Sequence, residues 1–114
     1  MLKNDFLLKQ IQEYIQFLLR LIFPQGDIAL KKKMITESDA FHELVKLIDE
    51  GRYNDAEDLL YDDAEAGNMD LASGIFFYQM LLDIPEKTLR SHDFSTKEIE
   101  TGLRDFVKLF NVEF

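Results

Sequence analysis

The residues best able to do chemistry in this chain are carboxylates, because the sequence has no cysteine and only two histidines. Asp39 and His42 stand three apart on a predicted helix, the spacing that di-iron helical bundles use for metal ligands. Such a centre needs a second pair, but Leu89 occupies the matching position before His92. Without cysteine there is also no thiolate ligand. We therefore expect no bound metal and no cofactor.

Three neighbouring residues, Ser91, His92 and Asp93, have the residue types of a hydrolytic triad. The side chains of a triad converge from separate positions in the chain, because each must present a chosen atom to the next. Adjacent residues in a loop diverge instead. The sequence also lacks a phosphate-binding glycine loop and a nucleophile elbow. We expect a non-enzymatic protein, and the alternative is an enzyme whose carboxylates the sequence does not pair.

Acidic residues are concentrated between Asp49 and Asp70, where nine carboxylates stand against the single Arg52. On a helix, residues three and four apart share one face. Four of these carboxylates form such a face: Asp55, Asp58, Asp62 and Glu65. This face is a solvated surface that supports solubility or, in the functional interpretation, a dock for a basic protein partner. A calcium loop is excluded, because alanine fills two ligand positions between Asp62 and Gly67.

The net charge of −9 argues against nucleic acid as a partner, because an acidic chain is repelled by the phosphate backbone. The basic cluster Lys31-Lys32-Lys33 falls in a segment that we predict to be a loop, where three lysines are typical of a solvated linker. We therefore expect no nucleic-acid binding.

The element that must position any interaction surface is the first helix, predicted over 3–23. A helical wheel places its polar residues in an arc of about 100° and leaves an apolar arc roughly twice as wide as a single core contact needs. One apolar flank contains Leu8, Ile15 and Leu19, and the other contains Leu7, Tyr14 and Leu21. Polar residues interrupt the run, so we expect neither a membrane span nor a signal peptide, and a cytoplasmic location.

The rest of the chain predicts a single all-α domain over 1–114. Residues 24–37 are expected to be a loop. The sequence leaves open whether part of this loop forms a short turn that docks on the core. Residues 38–114 should form a helical bundle, with helices over about 39–50, 54–66, 69–82 and from Ser95 onward, where Ser95 to Glu98 is a capping box. No strand pattern is present. The predicted architecture is an orthogonal bundle of about five helices.

Gly51, Tyr53, Ala56 and Leu60 resemble the turn of a tetratricopeptide helix pair, in which a glycine turns the chain and an alanine allows close approach. The resemblance covers about residues 38–67 and predicts a helical hairpin. The whole chain also resembles a family of short bacterial proteins of unknown function, common in Gram-positive bacteria of low GC content. That resemblance is carried by the opening residues 4–11 and by the helix pair. It implies an all-helical, tetratricopeptide-like protein and names no activity.

These observations favour a protein-interaction or adaptor module that forms a homodimer through the first helix. If both apolar flanks cannot be covered within one domain, pairing the same flank across a two-fold axis removes it from water. The sequence leaves open which flank faces the partner. A second alternative is a membrane-surface protein that uses 3–23 as an amphipathic anchor.

Overall fold

The protein is described here by a computed structural model, which gives the backbone of residues 2–112 and the side chains of residues 5–112. Within that range the chain contains helices and no strand, so the predicted all-α class is confirmed. The described residues form seven helices, which corrects the expected count of about five. They are α1 Leu2–Ile22, α2 Ile28–Thr36, α3 Asp39–Asp49, α4 Tyr53–Glu65, α5 Leu71–Leu82, α6 Glu86–Arg90 and α7 Thr96–Leu109.

The expectation of a loop over 24–37 is wrong, because most of this segment is α2. Alanine, leucine, methionine and lysine all have high helix propensity. The three consecutive lysines therefore continue a helix and do not form a solvated linker. The helix is held on the core by Ile28 and Ile35. Lys32 adds two contacts with α5: its ammonium group donates a hydrogen bond to the Gln79 side chain at 3.2 Å and lies 5.8 Å from the centre of the Phe76 ring.

The second helix that the sequence did not predict is α6, which follows Pro85. Its first residue, Glu86, makes an ion pair with Arg90 at 2.8 Å, one turn later. The same carboxylate also accepts hydrogen bonds from the backbone N–H and the hydroxyl of Thr96, at the start of α7. Leu89 is buried in the core. A five-residue helix therefore connects α5 to α7 and is held by side chains at both ends.

The centre of the fold is α5, where every residue from Ala72 to Tyr78 is buried. It contacts α1, α2, α3 and α7. The closest approach is at Gly74, where an added Cβ would stand 2.0 Å from a ring carbon of Phe106 in α7. Only a residue without a side chain allows these two helices to pack at this distance.

The predicted helix pair is present as α3 and α4, which make the most extensive contact between any two helices described. Ser38 caps α3 by accepting a hydrogen bond from the backbone N–H of Phe41. Gly51 turns the chain with a φ of 77°, a conformation that costs glycine little. Tyr53 and Ala56 are buried, as the resemblance to a tetratricopeptide pair implies. That resemblance remains one of sequence, and the orthogonal arrangement remains a prediction.

We expect Ala56→Leu to lower the free energy of unfolding by about 1–3 kcal/mol, because the larger side chain overpacks a fully buried helix contact. Tyr53→Ala should lower it by about 3 kcal/mol or more through the loss of a buried ring. Chemical denaturation of both variants measures these changes. Asp58→Leu is the control, since it places the same leucine on the exposed side of the same helix. Equal stability of Ala56→Leu and the parent would contradict the packing.

Candidate functional site

The inner side of α1 packs into the core and uses one of the two predicted flanks. Ile15 and Leu19 are buried, together with Ile11 and Leu18 one turn away, and Leu8 is partly buried against the same cluster. The prediction that Ile15 and Leu19 could face a partner is therefore corrected: in the folded domain these side chains contact the protein's own core. The sequence alone does not distinguish the two flanks, because both are apolar and repeat with the same helical period.

The outer side of α1 carries three large apolar side chains that are at least 45% exposed. Phe6 is 69% exposed, Leu21 is 50% exposed and Phe17 is 45% exposed. We call Phe6, Phe17 and Leu21 the outer stripe. Leu21 was predicted as an interaction residue, whereas Phe6 and Phe17 were missed, although the helical wheel places them beside it at 100° per residue.

Two predicted residues border the outer stripe on its core side. Leu7 and Tyr14 are both partly buried and pack against the hydrophobic core. The guanidinium group of Arg104, in α7, lies 4.4 Å from the centre of the Tyr14 ring, within the range of a cation–π contact. Burial raises the pKa of the Tyr14 hydroxyl, and the charge of Arg104 partly opposes this shift. The flank of Leu7, Tyr14 and Leu21 is thus the more accessible of the two that were predicted.

An open groove lies between the end of α1, α2, the turn before α5 and the end of α7, and has a volume of about 770 Å³. We call it the α1–α2–α5 groove. Most of its lining is apolar, and Lys31 and Asp70 are the charged residues among the described ones that line it. Two apolar residues of α2, Leu30 and the groove-lining Met34, are more than half exposed. The groove was not predicted, because the sequence analysis had assigned 24–37 to a loop.

The predicted acidic face of α4 is on the surface. Its four members, Asp55, Asp58, Asp62 and Glu65, are exposed. Asp55 makes an ion pair with Arg52 at 2.9 Å, and the Arg52 guanidinium also reaches Glu50 at 3.4 Å. The face is therefore available to a basic partner, but a solvated surface that supports solubility has the same structure.

A fifth acidic residue of α4, Glu57, behaves differently because it points toward α5 and α7. The Tyr78 hydroxyl donates a hydrogen bond of 2.5 Å to its Oε2 atom. Tyr61 lies one turn after Glu57 and donates to the backbone carbonyl oxygen of Gly102 at 2.8 Å. A Cβ on Gly102 would stand 2.0 Å from the Glu57 Oε2 atom, so glycine at this position makes the arrangement sterically feasible.

Burial is the main cause that raises the pKa of the Glu57 carboxyl, opposed by the hydrogen bond from Tyr78 and reinforced by Asp58, Glu98 and Asp105. Burial also raises the pKa of the Tyr61 hydroxyl to about 12. The pKa of the Tyr78 hydroxyl is raised by burial and by the Glu57 carboxylate. In the sequence, Glu57 is one member of the acidic stretch between Asp49 and Asp70. Glu57 stands four residues before Tyr61 and seven before Ala64, and both of these side chains are partly buried against the core. This spacing indicates that Glu57 lies on the side of α4 that faces the core.

The histidines do not build a site in the part of the chain that the structure describes. His42 is exposed, and no group of three His, Asp or Glu side chains among the described residues could hold a metal ion. His92 packs its ring edge-on against Tyr53 and lies over Gly51, while its Nδ1 atom is 3.2 Å from the Thr88 carbonyl oxygen. The same atom is 3.0 Å from the Ser91 hydroxyl oxygen, so the expectation that these neighbouring side chains diverge is wrong. Its role is to fill the space beside the α3–α4 turn.

No helix among residues 2–112 has the length and apolar character needed to cross a bilayer. Comparison with known proteins places the chain in a family: the model described as "Family of unknown function (DUF6483)" matches residues 1–111, so the chain belongs to it. No curated protein and no solved structure matches the chain. The all-helical structure agrees with the family expected from the sequence, while a bacterial origin remains a prediction.

The raised pKa of Glu57 predicts a pH dependence of stability. A carboxyl whose folded-state pKa exceeds its unfolded value stabilises the fold fully below the ordinary value of 4.5, and this contribution is lost as the pH rises through the raised pKa. We therefore expect Glu57→Gln to gain stability relative to the parent as the pH is raised from about 4.5 toward 8. Chemical denaturation across this range measures the difference. Glu65→Gln, at an exposed position on the same helix, is the matched control, and a pH-independent difference for Glu57→Gln would contradict the assignment.

The acidic face of α4 is expected to contribute nothing to folding. Like charges one turn apart on a helix repel each other, so replacing both Asp58 and Asp62 with asparagine should leave the melting temperature equal or slightly higher. Thermal unfolding followed by circular dichroism checks this at low salt, where the repulsion is largest. A large loss of stability would mean that these carboxylates have buried partners.

Proposed function

We propose that this family member is a non-enzymatic protein-interaction module of the cytoplasm that forms a homodimer through the outer stripe of α1. The observation that carries the proposal is the exposure of Phe6, Phe17 and Leu21 on one side of a single helix. Phe6 and Leu21 are 15 residues apart, which is about 22 Å along the axis at 1.5 Å per residue. The exposed Gln10 interrupts this span, so the apolar surface has two parts, with Phe6 at one end of the helix and Phe17 and Leu21 toward the other.

A second copy of the chain suits this strip because a two-fold axis pairs a surface with itself. If the axis crosses α1 near its middle, the two helices run antiparallel and Phe6 of each copy meets Leu21 of the other. In that register Phe17 of each copy lies opposite Gln10 of the other. Aromatic and leucine side chains of this kind form the buried centre of many protein interfaces.

Charge also favours self-association at α1 over other faces. The chain carries −9 overall, but α1 contains three basic and two acidic residues. Two copies that meet through α4 would oppose two acidic faces, and juxtaposed like charges are unfavourable. Two copies that meet through α1 bring together surfaces with little net charge, where this repulsion is small.

The dimer must extend beyond the three stripe residues. A stable interface buries upwards of about 1,000 Å² in total. Tyr14 and the Arg104 guanidinium above it border the stripe and would widen the contact. The acidic face of α4 lies on a different helix and would remain accessible in the dimer. It supports an adaptor role in which a basic protein partner binds there.

We expect the parent protein to be a dimer at tens of micromolar in size-exclusion chromatography with light scattering. Leu21→Glu should give a folded monomer, because it places a charge in the apolar interface at an exposed position. Gln16→Glu is the matched control, since it adds the same carboxylate to the polar side of α1 and should stay dimeric. Leu19→Glu should unfold the domain, because Leu19 is buried in the core.

Circular dichroism distinguishes the variants that lose the dimer from those that lose the fold. Phe6→Glu provides a second interface variant at the other end of α1 and should also give a folded monomer. A parent protein that elutes as a clean monomer would rule out the dimer, as would a Leu21→Glu variant that remains dimeric.

A further inference from the structure

We infer that the α1–α2–α5 groove binds an amphipathic helix with acidic flanks, supplied by a different protein. The groove lies at the C-terminal end of α1, and Leu21 of the outer stripe is not among the residues that line it. The inference therefore concerns a separate surface from the proposed dimer interface and does not depend on it.

The shape and lining of the groove suit the apolar side of a helix. Its volume of about 770 Å³ can hold several large side chains, and the groove is open to solvent. Ile22, Phe23 and Phe110 are among its apolar lining residues, together with Met69 and Ala72, which are almost fully buried. Helices that bind in grooves insert anchors at positions i, i+3, i+4 and i+7.

The apolar surface continues from the groove onto the outward side of α2. Met34 lines the groove, and Leu30 lies one turn before it on the same face. Both side chains are more than half exposed. An occupant that filled only the concave part would leave this pair in water, whereas a helix lying along α2 would cover both parts. This extension favours a protein segment over a small apolar molecule.

The charge of α2 favours an acidic occupant. The nine residues of α2 include three lysines and no acidic residue, in a chain whose net charge is −9. Lys31 and Lys33 are exposed on either side of the Leu30–Met34 face. The one carboxylate among the described lining residues is Asp70, which is engaged as the cap of α5: it accepts hydrogen bonds from the Ser73 N–H at 2.9 Å and from the Ser73 hydroxyl at 2.7 Å.

Two other occupants fit these observations less well. A bilayer is flat on the scale of this groove and could reach the exposed Leu30 and Met34 but not Met69 or Ala72, which line the groove and are almost fully buried. A second copy of the chain carries acidic residues on α4, but the apolar side of that helix is buried in its own core. It could therefore supply the charge and not the anchors.

The test is a selection of 16-residue helical peptides from a displayed random library on the full-length protein, followed by fluorescence anisotropy of the enriched peptides. We expect the enriched peptides to have apolar residues at helical spacing flanked by aspartate or glutamate. Their affinity should fall at least tenfold with Met34→Glu and with Lys31→Glu. Replacing the acidic residues of a peptide with their amides should weaken binding to a similar extent.

Two control variants locate the binding site. Lys87→Glu makes the same charge change as Lys31→Glu on α6, outside the groove, and should bind as the parent does. Phe6→Glu removes part of the outer stripe at the far end of α1 and should also leave peptide binding unchanged. Loss of the dimer and loss of peptide binding are thereby separated.

Several results would overturn the inference. These are a selection that enriches no peptide, enriched peptides without acidic flanks, and binding that Met34→Glu and Lys31→Glu leave unchanged. A fourth is a membrane ligand: sedimentation of the parent protein, but not Met34→Glu, with phosphatidylserine-containing vesicles in the absence of peptide binding would assign the surface to an anionic bilayer.

Discussion

The interaction on which the rest of the structure depends is the burial of the segment Ala72–Tyr78 of α5. Every side chain from Ala72 to Tyr78 is inside the core, so this helix must be covered on all sides by others. Gly74 permits the close approach of Phe106 on one side, and α1 and α2 cover others. Once these helices are in contact with α5, α1 has one side in the core and one side in solvent. The exposed outer stripe is thus a consequence of how α5 is packed.

The sequence predicts α1 and its excess of apolar surface but not the direction in which that surface points. Both flanks of the helix are apolar and repeat with the same helical period. A helical wheel therefore shows how wide the apolar arc is, but not which other helices each flank contacts. The choice is made by contacts with α5 and α7, more than 50 residues away in the chain. The same dependence on contacts that are distant in the chain explains why the sequence does not predict α2. Its inward residues, Ile28 and Ile35, are separated by three lysines, and the contacts that hold it are with Phe76 and Gln79 on a distant helix.

The acidic residues of α4 show where a sequence pattern stops being informative. Asp58 and Glu57 are neighbours in the same acidic stretch, and both could be assigned to a solvated face. In the structure Asp58 is exposed, whereas Glu57 accepts a hydrogen bond from Tyr78 beneath α7. The difference depends on Gly102, which leaves space for the carboxylate oxygen and lies 45 residues later. Local spacing could suggest that Glu57 points inward, but only the packing of three helices determines its partner.

The distribution of charge over the helices links the fold to both proposed surfaces. Acidic residues dominate α4, α2 carries only basic ones, and α1 is close to balance. A protein with this distribution has a strong net negative charge that keeps molecules apart, and the repulsion varies with the face presented. Encounters through α4 are disfavoured between identical copies, encounters through α1 are nearly neutral, and α2 attracts acidic groups. Five of the six large apolar side chains that are exposed among the described residues lie on α1 and α2, and none lies on the acidic α4, so exposed apolar surface and acidic surface are separated in the fold.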